Sequence, residues 1–379
     1  MSAIGVVAEF NPLHNGHAAH MEESRRLAGL GKVIAVMSGN FVQRGEPAIF
    51  DKWARTRAAL LCGADVVIEL PAHYALCGAD YFARGAAGLL DACGAVSAIS
   101  FGAECGDLGA IERAAEILRE EPPEFKGALR GALSRGAPFA AARGLALGAC
   151  MGGAPEGLFD RPNNNLAIEY VKALKLAGSK IKPIATHRKP GGPSATAARR
   201  ALLGGSVPAH MLPENAAALF GGRPARLDDY SEIFRYILYT EKGLDFGEGL
   251  ENRFRKMAPA HARLSDLLLA VKSKRYALTR LQRAAMRAVL GIGNAPPAPR
   301  YIRVLGFRRD GAALLSEMAK KARLPVLATG RELAGFLSQG GPGAEMLEKE
   351  MEAGDIYRLA GGGRCAAYRH ERAAPAVIV

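Results

Sequence analysis

No Cys-x-x-Cys pair occurs among the six cysteines of this chain, Cys62, Cys77, Cys93, Cys105, Cys150 and Cys365, which removes zinc knuckles and a disulfide framework from consideration. They read as reduced, mostly buried thiols. The zinc-protease pattern His-Glu-x-x-His is absent as well. No run of about 18 apolar residues is present, so no membrane-spanning helix is expected. The N-terminus lacks the basic start and long apolar core of a secretory signal, and the expected compartment is the cytoplasm. No internal repeat is found, and the 45 glycines follow no collagen-like period.

At 379 residues the chain is too long for one ordinary core, and two domains are expected. Hydrophobic residues make up 49% and charged residues 23%, the balance of a folded globular protein. The net charge of +13 is uneven: residues 1–205 carry 23 Lys and Arg against 19 Asp and Glu, the remainder 27 against 18. A basic surplus suits a polyanionic partner because neutralised phosphates release counterions. An arginine-rich genome would produce part of the same surplus.

The most informative motif is His14-Asn15-Gly16-His17, directly after the apolar run Ile4–Phe10. That run reads as a buried strand, Asn11-Pro12 as a turn, and Asn15 to Leu27 as a helix. Strand-to-helix junctions bind phosphates: helix-start N–H groups are expected to point outward without partners, the dipole favours an anion, and Gly16 allows close approach. Two imidazoles three residues apart can donate to one phosphate group as it gains charge. Surface histidines or half of a metal site are the competing readings, and no further ligands stand at zinc spacing.

Short apolar strands then alternate with helical stretches: Val33–Met37, helix Lys52–Cys62, Val66–Glu69, helix Ala79–Ala92 and Ala98–Phe101. This β-α-β rhythm predicts a parallel sheet covered on both faces, with ligands beyond the carboxyl ends of its strands. The loops there hold His14 and His17, Ser38-Gly39-Asn40, Glu69-Leu70-Pro71 and Gly102-Ala103-Glu104. Lys52 and Arg55 either grip an anion or form an exposed basic face. A helix around Ile111–Arg119 and a Gly/Ala-rich region to Gly153 lead to Arg161–Tyr170, a polar turn feeding a helix. Asn163 or Asn164 is its expected N-cap, the other being free to meet an adenine edge or ribose. After the strand Ile181–Thr186, a Gly/Pro loop opens a helix with Ser194, Thr196, Arg199 and Arg200. Ser194, Thr196 and Arg199 are candidates for the outer phosphates and Arg188 for the nucleotide, or all belong to a capped surface helix.

Beyond Ser206 long amphipathic helices are expected, clearest at Asp228–Leu238 and Leu264–Leu290, with a boundary near residues 203–215. Lys272, Lys274, Arg275, Arg280, Arg283 and Arg287, with Arg253, Arg255 and Lys256 nearby, form the candidate RNA-backbone surface, and Tyr276 offers a stacking face. Tyr301–Phe307, helix Ala312–Lys321 and Pro325–Thr329 read as a small closing α/β unit.

The H-x-G-H segment resembles the HIGH-type nucleotidyltransferase superfamily. Gly5–His17, Val36–Ala48, Arg161-Pro162-Asn163-Asn164 and Lys274-Arg275-Tyr276 together resemble the tRNA(Met) cytidine acetate ligase family over nearly the whole chain. The resemblance implies an α/β fold: a Rossmann-like parallel-sheet nucleotidyltransferase domain (1–205) that binds ATP, then a basic, mostly helical tRNA-binding domain (206–379) with a small C-terminal α/β unit. It implies that acetate attacks ATP to give acetyl-adenylate and pyrophosphate, and that the wobble cytidine of elongator tRNA(Met) takes the acetyl group to form N4-acetylcytidine. No membrane or DNA partner is implied. Carried over by motif, Val7, Ala8, Glu9, Phe10, Asn11, Pro12, Leu13, His14, Asn15, Gly16, His17, Ala18, Ala19 and His20 form the main ATP segment, with His14 and His17 catalytic. Gly102 lies under the nucleotide, and Asn163 and Arg188 complete the pocket. Mg2+ is expected with ATP, though no carboxylate stands out as its ligand. The chain departs from the family pattern at Lys189–Pro193, where a compact Gly/Pro stretch replaces a longer Gly-Ala-Tyr-His-like approach to the phosphate-binding helix. A small-molecule adenylyltransferase or acid-activating ligase, and a non-catalytic RNA-binding protein, are the alternative readings.

Overall fold

β-branched and small residues dominate Ala3–Ala8, which carries no charge and is buried at its first four positions, the composition of a central parallel strand. The computed structural model describes residues 2–187, 194–361 and 371–379. Its strands are β1 (Ala3–Ala8), β2 (Lys32–Ser38), β3 (Phe41–Val42), β4 (Glu46–Pro47), β5 (Val66–Leu70), β6 (Val96–Ala103), β7 (Lys182–His187), β8 (Ile302–Phe307), β9 (Val326–Leu327) and β10 (Val377–Ile378). The helices of the first half are α1 (Asn15–Ala28), α2 (Lys52–Leu61), α3 (Ala72–Ala75), α4 (Ala79–Ala92), α5 (Leu108–Glu120), α6 (Pro123–Ser134), α7 (Phe139–Met151), α8 (Pro162–Leu176) and α9 (Ala195–Leu203). Those of the second half are α10 (Glu214–Ala217), α11 (Ser231–Thr240), α12 (Leu250–Met257), α13 (Leu264–Val271), α14 (Leu278–Leu290), α15 (Ala312–Lys321), α16 (Gly330–Ser338) and α17 (Gly341–Ala360). No helix among the described residues is long and apolar enough to cross a membrane.

The main sheet runs β10-β8-β5-β2-β1-β6-β7, with β9 beside β8. From β5 to β7 every pair is parallel. Alternation along each strand feeds two cores. Ile4, Val6, Val33 and Ala35 face α1 and α2, whereas Ile34, Val36, Val66 and Ile68 belong to the core under α4, α5 and α8. Gly5 is small for a reason: a Cβ there would lie 2.6 Å from Leu90 of α4, so the helix rests directly on the strand backbone.

The chain winds outward from β1 through β2 to β5, then returns to β6 on the other side of β1. The strand order therefore reverses between β1 and β6, where a doubly wound sheet opens its ligand crevice. The ladder shows the opening directly. β1 and β2 stay paired to Ala8 and Met37, and β6 and β7 to Ala103 and His187, but β1 and β6 pair only as far as Val6 and Ser100.

The closing strand-helix-strand unit is not set apart from the sheet. β8 pairs antiparallel with β5 and brings β9 and β10 with it, covering an edge that would otherwise expose unpaired backbone groups. Buried charges fasten this edge. Lys52 Nζ lies 2.7 Å from Glu69 and 3.1 Å from Glu371, and Arg303 lies 3.1 and 3.0 Å from the same two carboxylates. Burial opposes ionisation of Glu371, but Lys52 and Arg303 outweigh it and hold that carboxyl at about 2.

The segment 264–290, read above as one helix, is two helices. Ser273 accepts a hydrogen bond from the Tyr276 backbone N–H at 3.3 Å, a local alternative to the helical ladder that turns the chain between α13 and α14. The Gly/Ala-rich stretch before Gly153 contains α6 and α7. The five described cysteines are free, and of them only Cys93 is buried; Cys365 lies outside the described residues.

Candidate active site

The chain leaves β1 through Phe10, whose φ of 45° is left-handed, a conformation that costs a bulky residue about 1–3 kcal/mol. It is held by its surroundings: Phe10 and Leu13 are buried in the core with Met21. Asn11 accepts the Ile49 N–H on its side-chain oxygen at 2.8 Å and the Arg199 guanidinium on its backbone oxygen at 2.7 Å. Its amide nitrogen is buried without a hydrogen-bond partner among the described residues. Pro12 is buried, and Val7 and Ala8 are half-buried beside the crevice.

His14 caps α1. Its Nδ1 accepts the Gly16 N–H at 3.0 Å, and His17 Nδ1 accepts the His14 N–H at 3.2 Å, a reciprocal cap made of two imidazoles. The rings stack with centroids 3.8 Å apart, and Phe10 meets the His17 ring edge-on at 5.2 Å. With both Nδ1 atoms accepting, each ring in its neutral form carries its proton on Nε2. The helix-start amides do not point outward unpartnered, as the sequence suggested. Asn15 N–H is bonded to Met211 O, Gly16 N–H to the His14 ring and His17 N–H to His14 O. The helix end therefore offers its dipole rather than free amides. Ala18 is half-buried and Ala19 exposed. His20 Nδ1 lies 2.9 Å from the Thr186 hydroxyl, which ties α1 to β7.

Across the crevice, Gly102 is half-buried in β6 opposite Thr186. Neither Asn163 nor Asn164 is the N-cap of α8. Arg161 holds that position with Pro162 opening the helix, because proline's fixed φ suits the first helical residue. The asparagines instead fix the loop after β6. Asn163 donates to Glu104 Oε1 at 2.6 Å, and buried Asn164 accepts from the Glu104 and Cys105 N–H groups at 2.8 and 3.2 Å. The structure thus places the histidine pair at the end of β1 and Gly102 near the end of β6, on the two sides of the strand reversal, with Asn163 bracing the loop that follows β6. Arg188 and Lys189–Pro193 lie outside the described residues.

Lys52 and Arg55 neither grip an external anion nor form an exposed face; both are wholly buried. Lys52 belongs to the edge latch. Arg55 donates to the backbone oxygens of Phe50 at 2.9 Å, Glu9 at 2.7 Å, Ser38 at 3.0 Å, and Gly39, clamping the carboxyl ends of β1 and β2. Arg199 is likewise engaged with Asn11 and, at 3.2 Å, with the Thr196 hydroxyl, while Ser194 caps α9 through the Ala197 N–H at 3.2 Å. Glu9 accepts the Gln43 N–H at 2.8 Å. Burial raises its carboxyl above the ordinary value although that hydrogen bond, Arg44, Arg199 and Arg55 all oppose the shift. Three cations around one carboxylate leave the mouth of β1 positive.

The basic residues assigned above to an RNA surface are largely committed within the chain. Tyr276 is buried, its hydroxyl donating to Glu248 at 2.9 Å under the guanidinium groups of Arg275 and Arg280, so its ring offers no open stacking face. Arg283 donates to Gln43 O at 3.2 Å and Arg255 to Leu238 O and Glu241 O at 3.1 and 2.9 Å. Lys256, Lys272, Lys274 and Arg275 are exposed.

A parallel sheet with its crevice at the strand reversal, a histidine pair at the first crossover and a cationic rim define a nucleotidyltransferase of the H-x-G-H class. Residues 1–371 match the model of the HIGH Nucleotidyl Transferase family. A tRNA(Met) cytidine acetate ligase of Caldanaerobacter subterraneus subsp. tengcongensis is 39% identical over 387 residues, covering 95% of this chain and 96% of that protein. One of Thermoanaerobacter sp. (strain X514) matches with the same identity and coverage. The crystal structure of Thermotoga maritima TmcAL bound with alpha-thio ATP is similar over the whole of both chains, with a TM-score of 0.92 and 32% identity. The chain belongs to the tRNA(Met) cytidine acetate ligase family, a family of enzymes.

Proposed function

We propose that the protein is an ATP-dependent ligase that activates acetate as acetyl-adenylate and passes the acetyl group to N4 of the wobble cytidine of elongator tRNA(Met). The observation that carries this reading is the stacked histidine pair that caps α1 at the first strand-to-helix crossover, its Nδ1 atoms accepting backbone N–H groups. The solved neighbour bound with alpha-thio ATP and the relatives' name support ATP and tRNA(Met) as the substrates. In the first step an acetate oxygen attacks the α-phosphorus and the bond to the bridging oxygen of the β-phosphate breaks, releasing pyrophosphate. His14 and His17 stabilise charge gathering on the phosphate oxygens. In the second, the cytidine N4 attacks the acetyl carbon, AMP leaves with the bonding pair, and the amine loses a proton.

The chain from Val7 to His20 lines the nucleotide, Gly102 lies beneath it, and Asn163 and Arg188 complete the pocket. The buried amide nitrogen of Asn11, which has no partner among the described residues, fits a polar ligand in this crevice. No group of three or more His, Cys, Asp or Glu among the described residues is placed to hold a metal, so no step here is routed through Mg2+. Residues 1–205 carry the nucleotide chemistry, and 206–379 carry the tRNA surface on exposed cations such as Lys256, Lys272 and Lys274, in the cytoplasm.

The test is incubation with ATP, labelled acetate and unmodified tRNA(Met). Label in the tRNA together with AMP and pyrophosphate is the expected result. Acetyl-adenylate without transfer would favour a small-molecule acid-activating ligase, and neither product would leave a non-catalytic RNA-binding protein.

A further inference from the structure

The segment between β3 and β4 is a tight hairpin: Phe41 pairs with Pro47 and Val42 with Glu46, and the Gly45 N–H closes the turn on Val42 O at 2.8 Å. Three contacts fix where its tip stands. The Gln43 N–H binds the Glu9 carboxylate at 2.8 Å, which sets the tip over the end of β1. Gln282 donates to Glu46 at 2.8 Å and Arg283 to Gln43 O at 3.2 Å, so α14 braces the hairpin from behind. Gly45, at φ 80°, lies so close to α14 that a Cβ would overlap the Arg283 backbone nitrogen.

Within this braced tip one charged side chain is uncommitted among the described residues. Arg44 is exposed and makes no hydrogen bond or ion pair among the described residues, whereas Arg55 and Arg199 are spent on backbone oxygens. Its charge reaches both Glu9 and Arg199. A third cation placed beside two others around one carboxylate is repelled unless further negative charge arrives.

We propose that Arg44 is a further ligand-binding residue, a guanidinium carried by the α14-braced hairpin that grips the β- and γ-phosphates of ATP. This rests on the ATP-dependent reading above and adds to it which side chain holds the leaving pyrophosphate. Exposure at the rim matches the outer phosphates, since the histidine pair at the crossover takes the inner one. The planar fork of arginine suits bidentate contact with phosphate oxygens.

The inference predicts a difference between ATP and AMP. In calorimetric titrations of the full chain, Arg44→Ala should raise the Kd for ATP about tenfold or more, the loss expected of a charged contact worth about 1.4 kcal/mol, and leave the Kd for AMP unchanged. Arg44→Lys should lie between the two, because the charge stays and the fork is lost. Equal weakening of ATP and AMP would mean that the substitution acts through the fold, and unchanged ATP affinity would remove Arg44 from the phosphates; either result overturns the inference. Loss of tRNA(Met) affinity with ATP affinity intact would overturn it too, assigning Arg44 to the RNA surface. A wild-type protein that binds neither nucleotide would overturn the functional reading itself, whereas wild-type binding matched by Arg44→Ala would sink only this step.

Discussion

Replacing Arg55 by methionine tests whether the end of β1, from which the proposed nucleotide segment departs, is held in place from inside. The guanidinium is fully buried and serves four backbone oxygens, those of Phe50, Glu9, Ser38 and Gly39. Hydrogen bonds from a charged donor contribute about 1.5–3 kcal/mol each, so the gross loss is about 6–12 kcal/mol. Several kcal/mol return because the variant no longer holds a cation out of water, leaving a net destabilisation of about 3–5 kcal/mol. That is a large part of the roughly 5–15 kcal/mol by which a folded protein of ordinary stability exceeds its unfolded chain. Arg55→Lys is the sharper variant. It keeps the charge but offers a single ammonium where the fork spans the ends of β1 and β2, so Glu9 and Ser38 cannot both be held. Urea unfolding measures the first effect through the midpoint at constant slope. ATP–pyrophosphate exchange measures the second, as a raised KM for ATP in a protein that still folds. An Arg55→Met chain within about 0.5 kcal/mol of wild type, below the usual scatter of surface substitutions, or an Arg55→Lys chain with unchanged KM, would refute the reasoning.

His14→Asn keeps an acceptor for the Gly16 N–H, so its stability should fall by less than about 1 kcal/mol, while adenylation should slow about a hundredfold or more; His17→Ala should slow it comparably. Both variants should still bind tRNA(Met) in a gel-shift assay, and loss of that binding would count against the catalytic assignment. Glu350 is buried beside Glu69, and burial and that carboxylate together push its carboxyl well above the ordinary range although Lys52 opposes them. The folded chain therefore holds a proton that the unfolded chain releases, so this contribution to stability is complete below the ordinary carboxyl range. It drains away as pH rises into mildly alkaline solution. Glu350→Gln should flatten that decline in denaturation midpoints measured across the interval, and a variant that declines as steeply as wild type would contradict it. Tyr276→Phe loses the hydrogen bond to Glu248 and should lower the denaturation midpoint slightly. Its tRNA affinity should be unchanged, whereas a tenfold loss would show that the ring does meet bases.

Local sequence determined the parts that depend on local physics. Short continuous apolar runs at 4–10, 33–37 and 66–69 gave the strands, apolar spacing with helix-forming residues gave α4 at Ala79–Ala92, and strand, turn and H-x-G-H in succession placed the histidine pair at the start of α1. What the sequence could not supply was the environment of its polar side chains. A Lys and an Arg three apart on a helix read alike whether solvated or buried. The apolar company of Lys52 and Arg55 in Trp53, Ala54, Ala58, Ala59 and Leu60 was the single hint that α2 lies inside. Three asparagines in a row look like a cap until Glu104, some sixty residues away, is seen to claim one of them. Tyr276 looks like a stacking face until Glu248 takes its hydroxyl.

Tertiary structure alone decided that β8 closes the β5 edge, that the helix-start amides of α1 are already bonded, and that a hairpin from the first half stands against α14 of the second. The reason is common to all three. Propensity and periodicity act over a few residues and are written in order along the chain. Desolvation, ion pairing and hydrogen-bond satisfaction depend on which distant groups arrive at the same place, and only the folded chain brings them there.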